Sequence, residues 1–94
     1  MIRSFKKRNP AKEIFEGYFV KGLDKALQKR THMKLLALHY AVRFEDLRIP
    51  AGNNLEALRG NRKGQHSIRI NDQWRVCFYW NAGGAEDVEI VDYH

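Results

Sequence analysis

The sequence predicts an α+β fold, an N-terminal helical hairpin packed on a three- to four-stranded antiparallel sheet. Three observations predict it. Apolar residues in the first half recur at helical spacing. Those in the second half alternate with polar ones, as on a half-buried strand. The alternating runs are joined by short Asn-Asp and Gly-Gly turn signals, which connect antiparallel neighbours. Ninety-four residues leave room for one domain, residues 1–94, since a chain this size removes only roughly two-thirds of its unfolded surface from water.

Residues 2–5 alternate weakly and suggest a short strand, followed by the basic cluster Lys6, Lys7 and Arg8. Asn9-Pro10 reads as a helix N-cap and first helical position, where proline's missing N–H costs nothing. Ile14, Phe15, Tyr18 and Phe19 then share one helical stripe, with Gly22 as the stop and Gly17 as a weak point inside. A second helix carries Leu23, Leu27, Leu35, Leu38 and Val42 on one face. Lys25, Gln28, Lys29, Arg30 and Lys34 fill the other, and Asp24 is a candidate cap.

The second half changes period. Residues 48–54, with Pro50 and Gly52, form a loop. Residues 55–58 are a short strand and 60–64 a tight basic turn holding Arg62 and Lys63. Residues 66–70 alternate up to Asn71-Asp72, a two-residue hairpin signal. Trp74, Val76, Phe78 and Trp80 alternate with Arg75, Cys77 and Tyr79. A turn over 81–85 leads into Val88 and Ile90, which alternate with Glu89 and Val91. The expected core face is Ile68, Ile70, Trp74, Val76, Phe78, Val88 and Ile90. The opposite face shows Arg69, Arg75, Tyr79 and Tyr93.

Seventeen basic against eleven acidic residues give a net charge of +6, which favours a polyanionic partner such as nucleic acid. The single cysteine, Cys77, rules out an internal disulfide and argues against a cysteine-based metal site; it reads as a small buried thiol. No metal and no cofactor is expected. No apolar run approaches the ~20 residues of a membrane span. The basic start is not followed by the apolar core of a signal peptide, so no membrane contact and a cytoplasmic location are expected. His32 and His39 read as partly exposed helix residues. Glu86, Asp87 and Glu89 read as an acidic patch turned away from any nucleic acid.

Three separated segments carry a resemblance. Residues 52–62, Gly-Asn-Asn-Leu-Glu-Ala-Leu-Arg-Gly-Asn-Arg, are similar to the "GNRLE-L-GNR-G" segment of HigB-type toxins in the RelE/ParE superfamily. The stretch from Gly64 to Phe78 continues the likeness. The closing Val-Asp-Tyr-His resembles that family's terminus, as does the opening Met-Ile-Arg-Ser-Phe. The resemblance implies a RelE-like fold and an endoribonuclease that cleaves mRNA at the ribosomal A site. It also implies a HigA-type helix-turn-helix antitoxin that represses the shared operon. On one fold the superfamily also holds ParE-like inhibitors of DNA gyrase that cleave nothing, the alternative reading.

RNA cleavage without metal uses the ribose 2′-OH as nucleophile. It needs a base for that proton, an acid for the leaving 5′-oxygen, and positive charge beside the phosphate. The resemblance puts Asp92, Tyr93 and His94 in the site. His94 can act as acid or base, since imidazole titrates near neutrality. Asp92 can orient it, and Tyr93 can stack on a base or hold the 2′-OH. Arg75 is placed to stabilise charge on the phosphate. Glu56 stands where some HigB-type toxins carry a histidine, which leaves the division of acid and base roles open. Arg59 fits a position where the family carries a basic residue, and Arg62 and Lys63 can hold the RNA backbone. His66, beside the basic turn, is equally readable as RNA contact or packing, and Arg69 is expected on the RNA-binding face.

A parity conflict accompanies this site. On a regular last strand Asp92 and His94 would share the side of Val88 and Ile90, and Tyr93 would point toward Arg75. The strand is therefore expected to end near Val91.

Overall fold

The computed structural model describes residues 1–93. Helix α1 spans Ala11–Phe15 and α2 spans Lys25–Tyr40. Four strands follow: β1 (Glu56–Ala57), β2 (His66–Arg69), β3 (Trp74–Asn81) and β4 (Gly84–Asp92). They form one antiparallel sheet in the order β1-β2-β3-β4. Short 3₁₀ turns occupy Phe44–Arg48, Ala51–Asn53 and Gly60–Arg62.

The core lies between the helices and one sheet face. Leu27, Leu35 and Leu38 of α2 meet Ile68, Val76, Phe78, Val88 and Ile90, all buried. The expected core face holds, with Trp74 partly buried at its margin.

The helical hairpin is much shorter on its first arm than the stripe suggested. Gly17 takes φ +90°, a region that costs glycine little, and the amide of Tyr18 bonds back to the Glu13 carbonyl at 2.9 Å. The chain therefore leaves the helix before Tyr18 and Phe19, which stand 67% and 68% exposed. The start is shifted too: Pro10 is the cap residue, and Asn9 accepts from the Ala11 amide at 3.1 Å. In α2, Asp24 caps the Leu27 amide at 3.0 Å. Leu23 precedes the helix and Val42 follows it, exposed.

The β2–β3 connection is wider than a two-residue turn. Ile70 and Asn71 both donate to the Trp74 carbonyl, while the Asn71 side chain accepts from the Gln73 and Trp74 amides. The Asn71 carboxamide thus organises the loop. The β3–β4 turn is tight: Ala82 and Gly83 both have positive φ, and Asn81 pairs with Gly84. That is the twist a two-residue hairpin turn needs.

The amino-terminal segment runs parallel to β4, bridging Ile2 to Ala85 and Phe5 to Val88. Opposite Phe78, β4 carries an irregularity in register, with Asp87 at φ +50°. Two residues of β4 stand against one of β3, a β-bulge.

Candidate active site and its relatives

Strand alternation assembles a second, polar face. Register places Glu56 beside Ser67, Ser67 beside Cys77, and Cys77 beside Glu89. One step along, Arg69, Arg75 and Val91 are neighbours. This face is not open throughout. Ser67, Cys77, Arg75 and Glu89 are all buried.

Arg75 is the centre. Its Nε donates to Ser67 Oγ at 2.7 Å. Its Nη2 donates to the Asn54 carbonyl at 2.5 Å and to the Ser67 carbonyl at 3.4 Å, and lies 3.3 Å from Glu56 Oε1. Asn54 sits at φ 44°, a left-handed conformation asparagine tolerates, at the end of the 3₁₀ turn whose carbonyl it turns toward Arg75. A guanidinium has five N–H donors in a fixed plane. Here Nε and Nη2 are spent on the protein, and Nη1 has no hydrogen bond to any described residue. The Tyr93 ring lies over this side chain, its centroid 5.8 Å from Arg75 Cζ, within cation–π range.

Tyr93 also walls an open groove of about 590 Å³ with Glu56, Ala57, Leu58 and Arg59. Arg75, Tyr93, Glu56 and Arg59 are thus brought together. Arg59 and Lys63 are exposed on the adjoining loop.

The other candidates are placed differently. Asp92 is the last residue of β4, opposite Trp74, so the strand ends near Val91 as expected but Asp92 itself stays in regular pleating. Alternation turns Asp92 to the side of Ile90 and leaves Tyr93 on the Arg75 face. The Asp92 carboxylate accepts from Gln73 Nε2 at 3.0 Å. His94 lies outside the described residues.

Arg62 turns inward. Its Nη1 donates to Glu89 Oε2 and to Gln65 Oε1, each at 3.0 Å. That bond to Glu89 raises the already high pKa of the guanidinium. Lys6 approaches the same carboxylate at 3.6 Å. Glu89 therefore belongs to the site face, behind the basic loop, and not to an acidic patch turned away from it. Its buried charge is tolerable because two cations meet it.

His66 is on the helix-facing side. Its ring packs edge-on against Phe44, centroids 4.7 Å apart, and against Phe78. Its Nδ1 is buried without a hydrogen-bond partner among the described residues, and burial lowers its pKa. Arg69 bends out of the face to the Asn71 carbonyl and the Asp72 carboxylate. Sequence reading missed the holders of Arg75. Ser67 was legible only as one more polar residue in alternation, and the Asn54 carbonyl leaves no side-chain signal at all.

Residues 5–94 match the family described as "RelE-like toxin of type II toxin-antitoxin system HigB". Toxin HigB-1 of Vibrio cholerae is 43% identical over 63 residues, 67% of this chain and 66% of that protein. Endoribonuclease HigB of Proteus vulgaris is 31% identical over the full length of both chains. The fold is that of YoeB from a Staphylococcus aureus YoeB–YefM complex, with TM-score 0.60, 18% identity and coverage of 100% of this chain and 98% of that one. It also matches YafQ from Escherichia coli, with TM-score 0.56, 13% identity and coverage of 98% and 93%. The chain belongs to the HigB-like family of RelE-like toxins of type II toxin–antitoxin systems.

Proposed function

We propose that this toxin is a metal-independent endoribonuclease that cuts mRNA on the translating ribosome. The observation that carries the reading is Arg75. It is held on two of its nitrogens, covered by Tyr93, which lines the groove beside it, and its Nη1 has no hydrogen bond to any described residue. A fixed guanidinium stabilises charge as it develops on a phosphate without having to reorganise. A relative of the same length named as an endoribonuclease supports the chemistry.

In this reading the ribose 2′-oxygen attacks the adjacent phosphorus as its proton passes to a base. The 5′-oxygen leaves with a proton from an acid, and the upstream fragment keeps a 2′,3′-cyclic phosphate. Arg75 bears the phosphate charge. Glu56, beside Arg75, and His94 are the candidate proton carriers, with Asp92 positioning His94. Tyr93 stacks on a base or holds the 2′-OH. Arg59 and Lys63 hold the backbone, while Arg62 acts through Glu89 to fix the loop that carries them. The toxin acts in the cytoplasm at the ribosomal A site, and its antitoxin is a HigA-type helix-turn-helix protein.

The test uses translating ribosomes programmed with defined mRNA. The protein cuts at a defined site, and a 2′-deoxy substitution there stops it. Cutting of the deoxy substrate would exclude the proposed nucleophile. His94→Ala loses most cutting while keeping its unfolding transition; a fully active variant would remove His94 from the site.

A further inference from the structure

The bend of Arg69 away from the active face has a destination. Arg69 joins Arg30 and Lys34 of α2 around an open groove of about 540 Å³, floored by Met33, Pro50 and Ile70. No carboxylate is among the described residues that line it. The nearby acid is Asp72, 97% exposed, and it pairs with Arg69 at the rim.

The groove is built and not merely a place where flexible cations meet. Lys34 Nζ is held by Asn53 Oδ1. Asn53 is 1% exposed. Its Nδ2 donates to the Leu47 carbonyl at 3.1 Å and the Ile49 carbonyl at 3.4 Å. Because both those partners are acceptors, the amide is fixed with its oxygen toward the lysine.

Three cations gathered without a lining acid repel one another. Burial together with Arg30 and Arg69 lowers the pKa of Lys34. A cluster that opposes its own charge and is nevertheless braced by a buried amide has the local inconsistency expected of a binding site. An anion placed among the three removes the conflict.

We infer that the Arg30–Lys34–Arg69 groove is a second site, apart from the cutting groove, for a phosphodiester of RNA. The cations take the phosphate, and the apolar floor takes the attached sugar and base. The inference rests on the reading that this protein works on RNA. The phosphodiester can belong to the mRNA or to ribosomal RNA, and the chemistry is the same for both.

The experiment measures binding at a series of salt concentrations for the parent, Arg30→Gln, Lys34→Gln, and Lys29→Gln as a control on the same helix outside the groove. One arm uses a short 2′-O-methyl oligoribonucleotide, which cannot be cut, and the other uses ribosomes. Each groove variant should weaken binding and make the log–log salt slope shallower by about 0.7 for a lost single-strand contact. Lys29→Gln should move it less. Cutting by bound enzyme should be unchanged, in contrast to Arg75→Gln. A change in both arms assigns the phosphate to a strand like mRNA; a change with ribosomes alone assigns it to ribosomal RNA. An unchanged slope in both arms overturns the inference while leaving the nuclease intact. Should the parent neither bind nor cut RNA, the functional reading fails first. Arg30 is exposed, so Arg30→Glu keeps the test available if Lys34 variants unfold.

Discussion

Arg75 Nε and Ser67 Oγ lie 2.7 Å apart inside the polar face of the sheet, and this bond helps set the plane of the guanidinium beneath the Tyr93 ring. Ser67→Ala removes the acceptor and leaves a buried charged donor without one. Hydrogen bonds to charged groups contribute about 1.5–3 kcal/mol, so the variant should lose stability of that order in urea unfolding. Cutting should fall by about tenfold or more in kcat, corresponding to ~1.4 kcal/mol of misplaced transition-state contact. Ser67→Thr, which keeps the oxygen, should recover much of both. Equal kcat for the alanine variant would show that Ser67 does not position Arg75.

The Glu89–Arg62 pair makes a different kind of prediction. The carboxylate is 7% exposed and the guanidinium side chain 32%. Glu89→Gln strands a half-buried cation, so a loss of about 2 kcal/mol is expected, below the ~3–5 of a fully buried pair because water still reaches Arg62. Replacing both, as Glu89→Leu with Arg62→Met, should restore most of that stability. A double variant as unstable as the sum of the two single ones would show that the pair is not coupled.

His66 should confer a pH dependence on folding. Burial disfavours its charged form, so the folded pKa lies below the ordinary ~6.5. The unfolded chain therefore takes up this proton first as pH falls. Stability is fully present above the ordinary value and is lost as pH drops through the folded one. Denaturation midpoints of the parent should decline through that window, and His66→Phe should flatten this part of the curve. The parent-minus-variant difference isolates the ring from His32 and His39. A difference independent of pH would contradict the assignment.

Cys77 is buried, and its thiol pKa is pushed up to about 11, chiefly by burial. Thiolate is the reactive form, so an aromatic disulfide reagent at about pH 8 should label the native protein no faster than it unfolds. Labelling should accelerate in proportion to the unfolded fraction in urea. Rapid labelling without denaturant would refute the burial.

The alternating strands were legible because period two assigns each residue to a face. Ile68, Val76, Phe78, Val88 and Ile90 fall where the pattern puts them, and so does Tyr93, on the same face as Arg75. The extent of the first helix was not. Apolar spacing extended it to Phe19, but the backbone turns at Gly17 into a conformation that spacing does not encode. Arg69 was placed correctly by register and wrongly by reach, because a long side chain can leave its face for a nearby carbonyl and carboxylate. The inward turn of Arg62 depends on a carboxylate 27 residues away in sequence, a relationship that only the folded sheet creates.

Asn9 extends the edge of the sheet with a side chain. Its Oδ1 accepts from the Ile90 amide and its Nδ2 donates to the Ile90 carbonyl, each at 2.9 Å, as a neighbouring strand's peptide would. With the bridges at Ala85 and Val88, the outer border of β4 is occupied along most of its length, removing the row of free peptide groups that invites chain-to-chain zippering. A partner that seeks to extend this sheet on that side must first peel the amino-terminal segment away. Controlling the toxin through that border thus means competing with the toxin's own first ten residues.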